Sequence, residues 1–190
     1  MNYNEIKAIL KNRLNEQRYY HSLCVADEAR RLAIKYGADN EKAYLAGLVH
    51  DITKNTPENE QLKIFSDFGI MPDDITLASK KLWHAVSGAA YIENVLNIKD
   101  AELLHAVRYH TTALGNMSLF DAVLYLADFT SADRDYDDVA VMRKLVDESL
   151  NDALKYALSY TICELVQKGA RIHPDTFEAY NKAVNKELLF

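Results

Sequence analysis

Glycine, proline and cysteine are scarce in this 190-residue chain, at six, three and two residues. Sandwiches and barrels place glycine and proline at their many turns, so their scarcity points to helices. Cys24 and Cys163 offer no disulfide framework, and Met1-Asn2-Tyr3-Asn4-Glu5 has neither the basic segment nor the apolar run of a leader peptide. No apolar stretch exceeds about seven residues, far short of the roughly 20 that span a bilayer. A basic surplus is missing too: 22 Lys+Arg stand against 28 Asp+Glu, for a net charge of -6. That balance argues against a polymeric nucleic acid, while a small anion remains open if metal ions and a few cationic side chains hold it locally. A cytoplasmic protein with no membrane attachment is expected. Its oligomeric state is left open, a homodimer being one option.

What the chain does have is hydrophobic residues, 49% of the total, recurring at helical spacing nearly everywhere. No repeat, low-complexity tract or linker divides it. A single all-α domain over 1–190 is expected, with a motif-bearing core at about 18–134 and C-terminal helices at about 137–190. The pattern predicts nine or ten helices and no strand. Gly37 closes the second helix, Asp39 caps the third, and Thr56 caps a fourth that has Pro57 at its first position and Gly69 at its end. One long helix is predicted from about Ile75 to Leu96. Asp100 opens another, Ser118 to Asp121 form a capping box, and His173-Pro174-Asp175 starts the last.

Chemistry concentrates at His50-Asp51. Leu45, Leu48 and Val49 make the surrounding helix apolar, so these polar groups are buried or line a cleft, where an unpartnered carboxylate is costly. Lys54 falls on the same helical face, and Gly47 lies one turn earlier, where a missing side chain lets another helix approach. The plain alternative is a buried His–Asp hydrogen bond with Lys54 as a surface charge. Asp128 continues the apolar side of its helix near a C-terminus, an unfavourable place for a carboxylate unless a cation lies nearby. His21, His84 and His110 also fall on apolar stripes, where a lone histidine is more often a satisfied core residue than a ligand. His105 shares its face with Glu102 and Arg108 and is expected in solvent; His173 is expected at a helix start. Four imidazoles and two carboxylates without cysteine suit Fe, Mn, Zn or Co, and one or two such ions often serve hydrolysis.

The ordered set His21, His50-Asp51 and Asp128 resembles the H…HD…D pattern of HD-domain metal-dependent phosphohydrolases. Further blocks resemble the YqeK-type branch of bacterial symmetrical diadenosine tetraphosphate hydrolases. They are Arg18-Tyr19-Tyr20-His21-Ser22, His50-Asp51-Ile52-Thr53-Lys54, Leu82-Trp83-His84-Ala85, Tyr109-His110-Thr111-Thr112, Leu126-Ala127-Asp128 with Arg134, and Ile172-His173-Pro174. The likeness runs from about Arg18 to Asn181. It implies an HD-type helical bundle with a buried dinuclear site ligated by His21, His50, Asp51, His84, His110 and Asp128, Asp51 bridging two ions. The ions implied are iron, with manganese or cobalt as substitutes. The implied reaction is hydrolysis of diadenosine tetraphosphate to two ADP by a hydroxide between the ions.

Asp51 and Lys54 are then the expected catalytic residues. Arg18, Lys54, Thr111, Thr112 and Arg134 are the expected substrate contacts. The segments 113–116 and 129–133 depart from the pattern usual in those relatives. Two alternatives stay open at this stage. One is an HD nucleotidase or phosphodiesterase acting on a mononucleotide; the other is an inactive regulatory HD module.

Overall fold

A computed structural model describes residues 2–188 and 190. Eleven helices follow one another, with no strand among the described residues. They are α1 (Tyr3–Arg13), α2 (Glu16–Tyr36), α3 (Asn40–Val49), α4 (Glu58–Asp67), α5 (Asp74–Ala78), α6 (Lys80–Asn94), α7 (Ala101–Tyr109), α8 (Leu119–Thr130), α9 (Val139–Glu148), α10 (Leu150–Gln167) and α11 (Pro174–Val184). None of them is long and apolar enough to cross a membrane.

The caps explain most of the boundaries. Gly37 ends α2 in the left-handed region at φ 84°, Asp39 accepts from the N–H groups of Glu41 and Lys42, and Asp100 accepts from Leu103. Ser118 and Asp121 close a reciprocal capping box at the start of α8. His173 caps α11, its Nδ1 accepting from Asp175 N–H, with Pro174 at the first position.

Three expectations need correction. The helix predicted over 75–96 is two helices, because the Thr76 carbonyl accepts from Ser79 N–H at 3.1 Å and from the Trp83 indole at 2.9 Å. That bond pattern stops α5, and α6 starts afresh after Ser79. Thr56 does not cap α4. Its hydroxyl accepts from Arg13 Nη2 at 3.0 Å, and the N-cap is Pro57 with no side-chain bond. Finally, α3 stops at Val49, so His50 to Lys54 form successive turns rather than a helix. Ile52 N–H donates to Val49 O and Lys54 N–H to Asp51 O.

Helices α2, α3 and α8 pack together at the centre, with α7 and α10 against them. Val25, Leu32, Leu48, Leu103, Val107, Leu124, Leu126 and Leu154 are fully buried there. Contact between α2 and α3 is close because Gly47 has no side chain: a Cβ at that position would lie 2.6 Å from Ala26 Cα. That approach delivers the end of α3, with His50 and Asp51, to the buried face of α2 that carries His21.

Candidate metal centre

Inside this apolar interior lies a polar cluster. His21, His50, Asp51, His84 and His110 are each no more than 4% exposed, while the Asp128 side chain keeps 20% of its surface. They come from five places: His21 from α2, His50-Asp51 from the turn after α3, His84 from α6, His110 from the residue after α7, and Asp128 from the last turn of α8. Burying so many ionisable groups is costly unless they are paired or bind ions.

The histidines are oriented from behind. His50 Nδ1–H donates to Gly47 O and His110 Nδ1–H to Val107 O, both at 2.7 Å. A carbonyl only accepts, so each bond places the proton on Nδ1 and leaves the Nε2 lone pair facing inward. His21 Nδ1–H donates to Asp133 Oδ2 at 2.7 Å, which turns its Nε2 to within 2.9 Å of Asp128 Oδ1. His84 Nε2 lies 3.0 Å from Asp51 Oδ1 and 3.2 Å from His110 Nε2. Burial pushes the His84 imidazolium down to about 4, so this ring is neutral at pH 7.

Asp51 sits between two groups of rings. Its Oδ1 faces His84 at 3.0 Å and His110 at 3.6 Å, while Oδ2 faces His50 Nε2 at 3.4 Å. Burial by itself would raise its carboxyl; the rings of His50, His110 and His84, wherever they carry a proton toward it, outweigh that and hold it well below the usual range. Asp128 follows the same logic, with burial opposed by the Arg134 guanidinium and by His21. Both groups are therefore carboxylates.

Ligand atoms within 4.8 Å of one another form three overlapping triads: His21, His50 and Asp51; His50, His110 and Asp128; and Asp51, His84 and His110. Nε2 of His21, Nε2 of His50 and Oδ1 of Asp51 are buried without a hydrogen-bond partner among the described residues. Inward lone pairs with nothing to accept from are what a cation would satisfy, and imidazole with carboxylate suits first-row transition ions. The six residues fit a metal centre.

Around it stand the expected substrate contacts, several already engaged. Arg18 Nη1 donates to Asp51 Oδ2 at 2.8 Å, and Arg134 donates to the carbonyl and carboxylate of Asp128. The Arg18 and Arg134 side chains keep 29% and 33% exposure, so each guanidinium has N–H groups to spare. Lys54 Nζ lies 3.2 Å from His84 Nε2, brought there by the turn rather than by a helical face. Burial depresses its ammonium, Asp51 opposes that, and Arg18 adds to it. The Thr112 hydroxyl donates to Ala113 O, so it has no proton left for a ligand; Thr111 is half-buried beside it. His105 stands outside the cluster, half-buried rather than in solvent, because its Nδ1 bonds Asp121 at 2.9 Å.

Three supports were not foreseen from the sequence. Asp133 orients His21, although it lies in the 129–133 segment that departs from the expected pattern; its only signal is being five residues after Asp128. Arg143 on α9 donates to the carbonyls of Thr130, Ser131 and Arg134, tying down the turn that carries Asp133 and Arg134. Thr53 donates to His84 O at 2.9 Å and meets Ser87 Oγ at 2.8 Å, fastening the 50–56 turns to α6.

With this geometry in hand, kinship is informative. The HD domain family model matches residues 18–133. The symmetrical bis(5'-nucleosyl)-tetraphosphatase of Bacillus subtilis (strain 168) is 36% identical over 185 residues, spanning 97% of this chain and 99% of that one. The protein of the same name from Staphylococcus aureus (strain NCTC 8325 / PS 47) is 31% identical over 183 residues, 95% of this chain and 94% of that one. A crystal structure from Clostridium acetobutylicum, described as a "predicted HD superfamily hydrolase involved in NAD metabolism", is 38% identical. It superposes with a TM-score of 0.94 over 98% of both chains. An H…HD…D set gathered at one buried point, on helices that overlay this closely, leaves one conclusion: the chain belongs to the HD-domain family, beside its symmetrical bis(5'-nucleosyl)-tetraphosphatases.

Proposed function

We propose that this chain hydrolyses diadenosine tetraphosphate to two ADP, at a two-ion centre held by His21, His50, Asp51, His84, His110 and Asp128. The observation that supports this most is the complete six-residue cluster in a chain 36% identical, end to end, to an enzyme of that name. Iron is the favoured ion on family likeness, with manganese or cobalt able to replace it. Such cations, when bound, lower the pKa of water toward neutrality and draw charge from phosphoryl oxygens.

The protein's own groups supply the rest. His50 and His110 are locked in the tautomer that offers Nε2, and Asp133 does the same for His21. Asp51, with its oxygens turned to different histidines, is placed to serve both ions. Arg134 and Arg18 present spare N–H groups to phosphate oxygens, and the Thr111 hydroxyl adds a neutral donor. Lys54, half-buried beside His84, donates toward the bridging oxygen that gains charge as the ADP departs. In the overall step a water oxygen bonds to the second phosphorus from one nucleoside. The bond to the oxygen linking the second and third phosphates breaks, and its electron pair leaves with the other ADP.

An initial-rate reaction in ¹⁸O-labelled water tests this. ADP is expected as the sole product, with one molecule in two carrying solvent oxygen on its terminal phosphate. AMP with ATP as the first products, or hydrolysis confined to mononucleotides, would overturn the assignment. A second result is expected at Asp133. Asp133→Asn should lower metal affinity by about 10–100-fold, the usual cost of losing a carboxylate that orients a metal-ligating histidine. Chelator competition followed by metal analysis would measure it, with circular dichroism confirming the helices; unchanged affinity would remove Asp133 from the centre.

A further inference from the structure

Helix α4 buries two side chains, Gln61 and Phe65, one turn apart on the same face. Phe65 packs on Trp83 and Val86 of α6, its ring 6.0 Å from that of Trp83, and this apolar contact suffices to seat the helix. Gln61 is only 6% exposed, and a carboxamide is costly to bury unless its polar atoms find partners. An apolar residue would pack there without that cost. The reason for a glutamine therefore lies in the bonds it makes.

Those bonds lead to the turns that follow α3. Gln61 Nε2 donates to Thr56 O at 2.9 Å, and Gln61 Oε1 accepts from Ser87 Oγ at 3.0 Å. A carbonyl only accepts, which fixes the direction of the carboxamide. Ser87 Oγ also lies 2.8 Å from Thr53 Oγ1. The result is a closed circuit that leaves the turns at Thr53, crosses α6 and α4, and returns at Thr56, with Lys54 and Asn55 between its ends. Thr53, Thr56, Gln61 and Ser87 are all buried, where a satisfied polar network is rigid. From the other side Arg13, the last residue of α1, donates Nε to Ile52 O at 3.3 Å and Nη2 to Thr56 Oγ1 at 3.0 Å.

We propose that Gln61 is a positioning residue for Lys54, acting through Thr56, Ser87 and Thr53 without touching the substrate. The inference rests on the role given to Lys54 above and adds what holds that residue in place. A lysine on a run of turns has no helical ladder to steady it. Here the backbone is pinned on both sides, and Nζ comes to rest 3.2 Å from His84 Nε2. Thr53 bonds the carbonyl of the same histidine, so the circuit sets the base of Lys54 in register with the ring its tip meets. His50 and Asp51 precede the circuit and have fastenings of their own, at Gly47 O and Arg18.

Gln61→Met keeps the length of the side chain and removes both bonds. In the metal-loaded enzyme the Lys54 and Thr56 amides, which donate to Asp51 O and Thr53 O, should then exchange with solvent about tenfold faster or more. Helical content and metal content should stay at the parent's values. With diadenosine tetraphosphate, kcat should fall by about 10- to 100-fold, the scale on which displacing a group by about an ångström acts, and KM should change less. In a Lys54→Ala background Gln61→Met should cost nothing further, because the group it positions is already gone. Ser87→Ala, a smaller change that breaks the same circuit, should repeat the pattern in weaker form and serves if Gln61→Met folds poorly. Unchanged exchange at both amides in both variants, or a loss that multiplies with that of Lys54→Ala, would overturn the positioning role. The two readings fail separately. A parent that cleaves no dinucleotide sinks the functional assignment, whereas a cleaving parent whose rate and exchange ignore both substitutions sinks the role of Gln61 alone.

Discussion

Asp51→Asn should fold as the parent does and lose about two to three orders of magnitude in hydrolytic rate, the scale on which a preorganised charge in a dry site acts. The amide matches the carboxylate in size and keeps an oxygen for Arg18, whose contact at 2.8 Å survives in form. What disappears is the negative charge between the two groups of imidazoles. Without it, two cations close together would face each other with one fewer carboxylate to offset their repulsion. Helical content by circular dichroism and initial rates with added metal read the two effects separately. Near-normal rates would mean that His50 and Asp51 are a buried structural pair, the plain alternative that the sequence allows.

His84→Ala and His110→Ala should each reduce metal content from about two ions per chain toward one. Both rings face Asp51 Oδ1, and their Nε2 atoms lie 3.2 Å apart; His21 and Asp128 form a contact of their own on the far side. Losing a ring from the first pair therefore weakens one half of the centre and leaves the other with its ligands. His50 is different. Its ring stands 5.3 Å from that of His21 and 5.0 Å from that of His110, so His50→Ala should disturb both ions. Elemental analysis of freshly purified variants decides the matter: one ion per chain in the parent, unaffected by these substitutions, would reject the two-ion centre.

Much of this arrangement is legible in local sequence because its determinants are local. Gly37, Asp39, Asp100 and Ser118 cap their helices through bonds to residues within a few positions. An apolar stripe bearing His110 or Asp128 is visible for the same reason. What escapes depends on distant partners. Ser79 divides two helices because a tryptophan indole takes a carbonyl within α5. Thr56 abandons its cap for an arginine 43 residues earlier. Asp133 acquires its role from a histidine 112 residues away, and Arg143 acts on carbonyls, which have no sequence signature at all. Thr111 and Thr112 read alike in the chain, yet only the fold shows that the Thr112 proton goes to Ala113.

His50 follows the last residue of α3, His110 follows that of α7, and Asp128 occupies the last turn of α8. Three helices thus end at one point, and each aligns its peptide dipoles so that the negative end faces the cluster. The backbone itself makes this place hospitable to positive ions before any side chain is considered, and inhospitable to phosphate. Phosphate-binding folds commonly do the opposite and aim helix N-termini at the anion. The three helix ends that meet here offer a polyphosphate carbonyl oxygens rather than N–H groups. On the proposed reading its attraction would come from metal cations together with Arg18, Lys54 and Arg134, so stripping the metal should weaken nucleotide binding sharply and abolish turnover.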